Sequence, residues 1–132
     1  MIYVDSNVFI NAAINDSDAG KSSRKLLTQL IKGQNEAMTS VLTIDEVLWA
    51  LQKERGKAFA AEVTKTLLCM RNLSFVDATR SIVENAIEIY GSEKLNPRDS
   101  THVATMFAKG LTEIASFDQD FDAIKEIKRV TP

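Results

Sequence analysis

Near its start the chain reads Ile2-Tyr3-Val4-Asp5-Ser6-Asn7-Val8-Phe9, a β-rich run followed by an acid and then by an apolar helical segment. Three consecutive apolar residues with high β-propensity are typical of a buried strand. Asp5 stands where this strand ends, in a position to cap the helix that follows. The segment therefore predicts a strand and a helix joined at a carboxylate, which is the repeating arrangement of parallel α/β proteins.

The same alternation continues along the chain. Further strands are predicted at residues 37–39, 73–76 and 113–116, with a possible last strand at 127–130. Apolar residues at helical spacing predict helices at residues 6–14, 21–32, 43–55, 57–71, 79–90 and 97–109, and a short helical piece at 119–125. The segment 15–20 is predicted to be a loop from its turn-forming residues, and Gly91 is predicted to end a helix. Strands that alternate with helices indicate an α/β fold with a mainly parallel sheet of four to five strands.

Length and composition narrow the class of protein. At 132 residues, the natural expectation is one domain over residues 1–132. The net charge of -2 argues against a strongly basic nucleic-acid-binding protein. Cys69 is the single cysteine, so no internal disulfide can form, and its helical context predicts core packing. The N-terminal residues lack the pattern of a signal peptide, and no stretch is apolar enough to span a bilayer, so a cytoplasmic protein without membrane association is expected.

Four acidic residues stand where helices are predicted to begin: Asp5, Glu46, Asp99 and Asp118. Each has an ordinary structural explanation. Asp5 and Asp118 can cap the helices after them, and Glu46 can close a capping box on Thr43. Asp99 follows a proline in a first helical turn, where its charge favours the helix dipole. Taken singly, none of the four requires a functional explanation.

Taken together, the four acids indicate a metal site. Asp5 and Asp118 each follow a predicted strand, and the carboxyl ends of parallel strands share the sheet edge at which ligands bind. Several carboxylates in one cleft repel one another unless a cation is present. Mg²⁺ and Mn²⁺ are hard cations that prefer oxygen ligands. A cap and a metal ligand are compatible roles for the same carboxylate.

Four short motifs, in this order, resemble those of the PIN domain family. They are Ile2-Tyr3-Val4-Asp5-Ser6-Asn7, Thr43-Ile44-Asp45-Glu46-Val47, Asn96-Pro97-Arg98-Asp99-Ser100-Thr101-His102 and Ser116-Phe117-Asp118-Gln119-Asp120-Phe121. No single motif is specific, whereas four in order over nearly the whole chain are a much stronger signal. The size and layout most resemble the VapC toxins of type II toxin–antitoxin pairs.

The resemblance implies a three-layer α/β/α sandwich and an endoribonuclease that depends on Mg²⁺ or Mn²⁺. It implies that Asp5, Glu46, Asp99 and Asp118 form the catalytic, metal-binding quartet, and that Asn7 and Ser116 are supporting polar residues. It also implies a cognate antitoxin and a homodimer as partners. Glu46 is favoured over its neighbour Asp45 on motif position, and Asp120 and Asp122 are further acids that can share or exchange roles.

Metal ions can both activate water and stabilise the transition state of phosphodiester hydrolysis, so no catalytic triad is required. His102 is the single histidine, which excludes a two-histidine nuclease of the pancreatic type. It is expected to pack beside the site or, alternatively, to contact substrate. Lys21, Arg24 and Arg98 are candidate RNA contacts, although solvated surface positions are the ordinary explanation for such residues. Trp49 belongs either to the core or to a surface for self-association or for an antitoxin helix.

Four other functions are alternatives. The chain can be a stand-alone RNA-processing PIN nuclease, or a PIN-like binding module without catalysis, although the presence of all four acids disfavours the second. A phosphatase-like enzyme with Asp5 as the nucleophile would favour a second Asp two residues later, where this chain has Asn7. For a receiver-like signalling domain, the chain lacks a convincing acceptor aspartate.

Overall fold

A computed structural model describes all residues from 1 to 132 and contains one five-stranded sheet. The strands are β1 Ile2–Val4, β2 Ala37–Ser40, β3 Leu73–Val76, β4 Glu113–Ala115 and β5 Lys128–Val130. The α-helices are α1 Ser6–Ile14, α2 Asp18–Ile31, α3 Leu42–Arg55, α4 Lys57–Leu68, α5 Arg80–Ser92 and α6 Pro97–Ala108. A short 3₁₀ helix covers Gln119–Ala123. None of the helices is both long enough and apolar enough to traverse a bilayer.

The sheet is parallel throughout, with the strand order β3-β2-β1-β4-β5. The chain therefore builds outwards from β1 to β3 on one side, and then continues on the other side of β1 with β4. Such a change of direction leaves a crevice at the carboxyl ends of the two strands that flank it, here β1 and β4. Asp5 follows β1 and Ser116 follows β4, so both lie at this crevice. The predicted parallel α/β architecture is confirmed.

Adjacent residues of β1 bury their side chains on opposite faces of the sheet, as the two-residue period of a strand requires. Val4 packs in a core with residues of α1, α2, α3 and α4. Tyr3 packs in a second core with Val103 and Met106 of α6 and with Phe121 of the 3₁₀ helix. Helices thus cover both faces, and the predicted three-layer α/β/α sandwich is confirmed.

Two helix boundaries that lie near glycine residues differ from the predictions. Helix α2 begins at Asp18, inside the predicted loop, so Gly20 is helical. A Cβ on Gly20 would lie 1.6 Å from the carbonyl oxygen of Asn15, and glycine allows this close approach of the α1–α2 connection. Gly91 does not end α5, which continues to Ser92. A glycine near a helix end weakens the helix without necessarily breaking it.

The predicted helix at residues 57–71 is three residues too long, since α4 ends at Leu68. Cys69 is consequently the residue that follows the helix, and its side chain is exposed. The expectation that Cys69 packs in the core is therefore wrong. The apolar run around it suggested continued burial, but the chain turns away from the core at that point.

Candidate active site

Asp5 lies at the junction of β1 and α1 and is 3% exposed. Its Oδ1 accepts the backbone N–H of Ser6 at 2.7 Å, which makes Asp5 the predicted cap of α1. Its Oδ2 accepts hydrogen bonds from Ser116 Oγ at 2.6 Å and Asn7 Nδ2 at 2.7 Å. Burial raises the pKa of Asp5, although His102 and the hydrogen bond from Ser116 act in the opposite direction. The Ser6 hydroxyl also lies 3.3 Å from Oδ1, so side-chain and backbone donors surround the carboxylate and hold it in place.

Asn7 and Ser116 connect α1 with the segment that follows β4. Asn7 Nδ2 also donates to Ser116 Oγ at 3.0 Å, and Asn7 Oδ1 accepts the backbone N–H of Phe117 at 3.3 Å. Ser116 Oγ in turn accepts the N–H of Asp118 at 3.0 Å. Both residues predicted to be supporting therefore contact Asp5, and together they fix the backbone that carries Asp118.

Glu46 does not form the capping box that the sequence predicted. Helix α3 begins at Leu42, whose N–H donates to Ser40 Oγ at 3.2 Å, and Glu46 takes no part in capping it. Thr43 is buried, and its hydroxyl oxygen lies 2.7 Å from that of Thr39. The Glu46 carboxylate instead turns towards the cleft, where Oε2 accepts a hydrogen bond from Ser6 Oγ at 3.0 Å. The prediction failed because polar partners across the cleft compete successfully for this carboxylate.

His102 on α6 is the second partner of Glu46. Its Nε2 lies 2.8 Å from Glu46 Oε1 and 3.6 Å from Asp5 Oδ1. Although the distance to Glu46 is short, the N–H is not aligned for a hydrogen bond with it. Burial lowers the pKa of His102, but Tyr3, Glu46 and Asp5 outweigh burial and raise it well above its ordinary value. For Glu46, burial acts to raise the pKa, while His102 and Ser6 outweigh it, so the net shift is downwards.

Asp99 lies in the first turn of α6 and is buried. Asn96 caps this helix by accepting the backbone N–H of Asp99 at 2.8 Å, and its side-chain amide donates to Asp99 Oδ2 at 2.8 Å. Burial raises the pKa of Asp99 to about 7, and the carboxylates of Asp5 and Asp118 contribute to this rise. A carboxyl group in this environment is destabilised as an anion unless a positive charge is supplied.

Asp118 and Asp120 approach Asp99 from the opposite side of the crevice. One oxygen of each of the three carboxylates lies within 4.8 Å of the others, which is a spacing that a single cation can bridge. Asp118 also caps the 3₁₀ helix, because its side chain accepts the N–H of Asp120 at 2.9 Å. The sequence predicted this cap and identified Asp120 as an acid that can share the site. The structure brings Asp120 to the cluster.

The other two neighbouring acids lie differently. Asp122 forms a two-point pair with Arg129 of β5, with Nε–Oδ1 and Nη2–Oδ2 distances of 2.9 Å each. The hydrogen bond from Arg129 lowers the pKa of Asp122. Asp45 is exposed on α3 and lines a small cavity beside Glu46. Neither belongs to the group of three carboxylates around Asp99.

The cavity next to the acidic crevice has a volume of about 190 Å³. Its lining residues are Leu42, Asp45, Glu46, Pro97, Arg98, Thr101 and His102. Arg98 is exposed and close enough to Glu46 to lower the pKa of that carboxyl group. A larger open groove of about 500 Å³ lies between the ends of α2 and α4 and contains none of the acidic residues. Volume alone therefore does not identify the site.

The two candidate cations on α2 differ in their surroundings. Arg24 Nη1 donates to the carbonyl oxygens of Ala12 at 3.1 Å and Asn15 at 2.8 Å. Arg24 therefore binds carbonyl groups at the C-terminal end of α1, which explains its presence without RNA. Lys21 is exposed and forms no ion pair. Of the three cations singled out from sequence, Arg98 alone lies beside the acidic crevice.

The residues that gather at this crevice offer a donor set of carboxylate, hydroxyl and amide oxygens, with no thiolate. Such a set fits a hard divalent cation better than a soft metal. Burial, and after it the neighbouring carboxylates of Asp5 and Asp118, raise the pKa of Asp99, so a cation in this crevice would favour its anionic form. The fold and this cleft define the chain as a parallel α/β protein with an acidic crevice between β1 and β4, and three of its carboxylates are spaced so that one cation could bridge them.

A known family shares this combination. The sequence profile of the PIN domain matches residues 2–127, and the chain belongs to the PIN domain family. PIN domains are a nuclease family, which agrees with the resemblance in the four motifs. No protein with curated annotation matches the sequence significantly.

Solved structures of similar fold include VapC20 of Mycobacterium tuberculosis, described as a toxin that cleaves the sarcin–ricin loop. It is 21% identical over the full length of both chains, with a TM-score of 0.84. VapBC2 of Rickettsia felis bound to promoter DNA is 17% identical, with 98% of each chain covered and a TM-score of 0.73. A toxin–antitoxin complex from Klebsiella pneumoniae is 18% identical, covering 99% of this chain and 97% of the other, with a TM-score of 0.70. At these identities the likeness concerns the fold.

Proposed function

We propose that this protein is a cytoplasmic endoribonuclease that hydrolyses RNA phosphodiester bonds with Mg²⁺ or Mn²⁺, and that it is the toxin of a toxin–antitoxin pair. Asp5, Glu46, Asp99 and Asp118 are the catalytic and metal-binding residues in this proposal, with Asp120 as an additional ligand. The observation that carries it is the convergence of Asp99, Asp118 and Asp120 on one point, beside a buried Asp5. Membership of a nuclease family gives the reaction class.

The chain's own residues have distinct tasks in this reaction. The bound cation would supply positive charge for the phosphoryl oxygens and increase the acidity of water. Asp99, Asp118 and Asp120 would hold it. Ser116 and Asn7 keep the Asp5 carboxylate oriented, through hydrogen bonds of 2.6 and 2.7 Å. Arg98, at the rim of the adjoining cavity, contacts the RNA backbone, and Lys21 adds an exposed charge near the start of α2, away from the crevice.

Two observations support the assignment as a toxin. Two solved relatives are described as a toxin and as a toxin–antitoxin complex, and both match this chain over almost its full length. The chain also leaves large apolar side chains exposed, including Trp49 at 50% and Ile87 at 65%, and exposed apolar patches often mark protein interfaces. We assign these surfaces to an antitoxin and to a second copy of the chain.

The deciding experiment measures cleavage of RNA by purified protein with Mg²⁺, with Mn²⁺ and with EDTA. The substrates are a sarcin–ricin-loop hairpin, since one relative is described as cleaving that loop, and total cellular RNA. The variant is Asp5→Asn, because Asn still caps a helix but removes the charge that a hard cation requires. Asp16→Asn is the matched control, since Asp16 is an exposed acid outside the crevice.

The proposal expects cleavage by the wild type and Asp16→Asn with a divalent metal, and none with EDTA or with Asp5→Asn, at unchanged melting temperatures. Cleavage that persists in EDTA would contradict metal dependence. If the wild type and Asp16→Asn cleave neither RNA, and calorimetry detects no binding of a divalent cation, the binding-module alternative is favoured. Growth arrest on expression, relieved by Asp5→Asn, separates a toxin from a stand-alone RNA-processing enzyme.

A further inference from the structure

His102 is a buried polar residue that the proposed reaction does not use directly. It is 1% exposed and lies three residues after Asp99, so the two side chains share one face of α6. Its ring is enclosed between the sheet and the crevice, with the ring of Tyr3 at a centroid distance of 5.5 Å. Nδ1 of this buried imidazole has Tyr3 Oη as its hydrogen-bond partner, whereas Nε2 has only close carboxylate contacts without hydrogen-bond alignment, and these neighbours indicate its task.

The partners form a chain through four elements of the fold. The backbone N–H of Ser40, at the end of β2, donates to Tyr3 Oη at 3.0 Å. Tyr3 Oη lies 2.7 Å from His102 Nδ1. On the other side of the ring, Nε2 is 2.8 Å from Glu46 Oε1 and 3.6 Å from Asp5 Oδ1. The chain thus connects the rigid sheet with two carboxylates of the crevice.

The hydrogen-bonding capacities of these groups fix which nitrogen carries hydrogen. A bare Nε2 would direct its lone pair towards two carboxylates, which is electrostatically unfavourable. Tyr3 Oη accepts from Ser40 and still has its own hydrogen to donate to Nδ1. The neutral ring therefore carries its hydrogen on Nε2, and the charged ring carries it there too. In either protonation state Nε2–H faces the carboxylates.

We infer that His102 is a positioning residue, which fixes the Glu46 carboxylate against the sheet through Tyr3 so that Glu46 can take part in binding the metal. The inference rests on the proposed metal site and adds to it a residue outside the acidic set. Glu46 has one other side-chain partner, Ser6 Oγ, so the loss of His102 leaves its carboxylate attached through a single oxygen. Residues that orient metal ligands typically change metal affinity by about 10–100-fold when replaced.

The test compares Mn²⁺ affinity, measured by calorimetry, for the wild type, His102→Met and His102→Gln. Met is similar in size to His but has no N–H, whereas the Gln side-chain amide can donate to Glu46. We expect His102→Met to weaken Mn²⁺ binding by about 10–100-fold and His102→Gln to restore much of the loss. RNA cleavage should show a lower kcat with little change in KM, since RNA contacts are not altered.

A double-mutant cycle with Glu46→Gln separates positioning from general structural damage. If His102 acts through Glu46, adding His102→Met to Glu46→Gln weakens Mn²⁺ binding no further, because contacting residues of one network are not additive. Additive losses, or unchanged affinity in His102→Met, would overturn the inference. Tyr3→Phe provides a second route if His102→Met does not fold, and a partial loss of Mn²⁺ affinity is expected from it.

Failure of this inference is distinguishable from failure of the proposed function. Wild-type protein that binds Mn²⁺ and cleaves RNA, together with a His102→Met variant of equal affinity, rejects the positioning role and keeps the nuclease. Wild-type protein that neither binds Mn²⁺ nor cleaves RNA rejects both.

Discussion

Asp99 is the acid whose surroundings differ most from those of a carboxyl group in water. Its pKa is raised to about 7 by burial and by the carboxylates of Asp5 and Asp118. The same residue contributes to a well-formed helix start, because Asn96 both caps its N–H and donates to its carboxylate. Asp99 thus stabilises the start of α6, while its negative charge is destabilised by the surrounding fold. Such strongly shifted carboxyl groups are typical of functional sites.

This strain predicts how the stability of the metal-free protein depends on pH. The folded-state pKa of Asp99, about 7, lies above the ordinary pKa of an aspartate side chain, 3.8. Between these values the folded protein retains a proton that the unfolded chain releases, so stability from this group is lost as pH rises from about 4 to about 7. Replacing Asp99 with Asn removes this loss, and at pH 8 the metal-free variant should be more stable than the wild type.

The expected gain is about 1–2 kcal/mol at pH 8, after allowing for solvent screening in a cleft that is open on one side. For a domain of this size that is a rise of roughly 3–8 °C in melting temperature. Thermal unfolding in EDTA at pH 4 and pH 8 provides the measurement. Mn²⁺ should raise the melting temperature of the wild type but not that of Asp99→Asn. A variant that is less stable than the wild type at both pH values would refute the prediction.

At the scale of secondary-structure elements, the 3₁₀ helix Gln119–Ala123 is the least regular part of the site, yet it follows Asp118 and contains Asp120. Its position depends on the pair between Asp122 and Arg129 of β5, whose Nη1 also donates to the carbonyl oxygen of Ser116 at 3.3 Å. Two-point arginine–carboxylate pairs give geometric specificity in addition to attraction. The edge strand β5 therefore helps to place two acids of the crevice.

Replacing Arg129 with Met should loosen the 3₁₀ helix while leaving the apolar stem of the side chain. We expect Mn²⁺ affinity to fall by about tenfold, as for other residues that orient metal ligands. Amide hydrogen exchange over residues 117–123 should accelerate. Lys128→Met is the matched control, because Lys128 is an exposed cation on the same strand whose partner Glu113 lies outside the crevice. Equal exchange rates in the two variants would contradict a placing role for Arg129.

At the scale of the whole molecule, helix α5 leaves one apolar face without an intramolecular partner. Val83, Ile87 and Tyr90 are 42%, 65% and 54% exposed, at spacings that align them along the helix. Together with Pro97 they line a shallow cavity of about 210 Å³ between α5 and α6. A second copy of the chain that packs here would bury this face in a twofold arrangement.

The substitution Ile87→Glu should therefore disrupt the proposed homodimer. Burying an unpaired charge at the centre of an interface costs about 2 kcal/mol or more, which raises the dimer dissociation constant at least roughly 30-fold. Light scattering after size exclusion should give a dimer for the wild type and a monomer for Ile87→Glu. Leu68→Glu is the control, since Leu68 is 54% exposed at the end of α4. A monomeric wild type would contradict the homodimer. A dimer that is disrupted by Leu68→Glu alone would place the interface away from α5.

The sequence by itself determined the features that depend on short stretches of chain. The alternation of apolar strands with amphipathic helices predicted the parallel α/β sandwich, since each period is visible within one element. The caps at Asp5, Asn96 and Asp118 were also predictable, because each bonds a backbone N–H within three residues. The resemblance of the four motifs to the PIN domain family then predicted that the acids of the crevice lie together.

Only the tertiary structure decided what these residues contact across the fold. Glu46 satisfied the pattern of a local capping box, yet it pairs with Ser6 and His102, which are 40 and 56 positions away in the chain. The contact between Tyr3 and His102 and the pair between Asp122 and Arg129 likewise join different elements. Such contacts depend on strand order and helix packing, which the hydrophobic periodicity of a single strand or helix does not encode. A carboxylate binds its strongest partner in the folded protein, whether that partner is near or far in sequence.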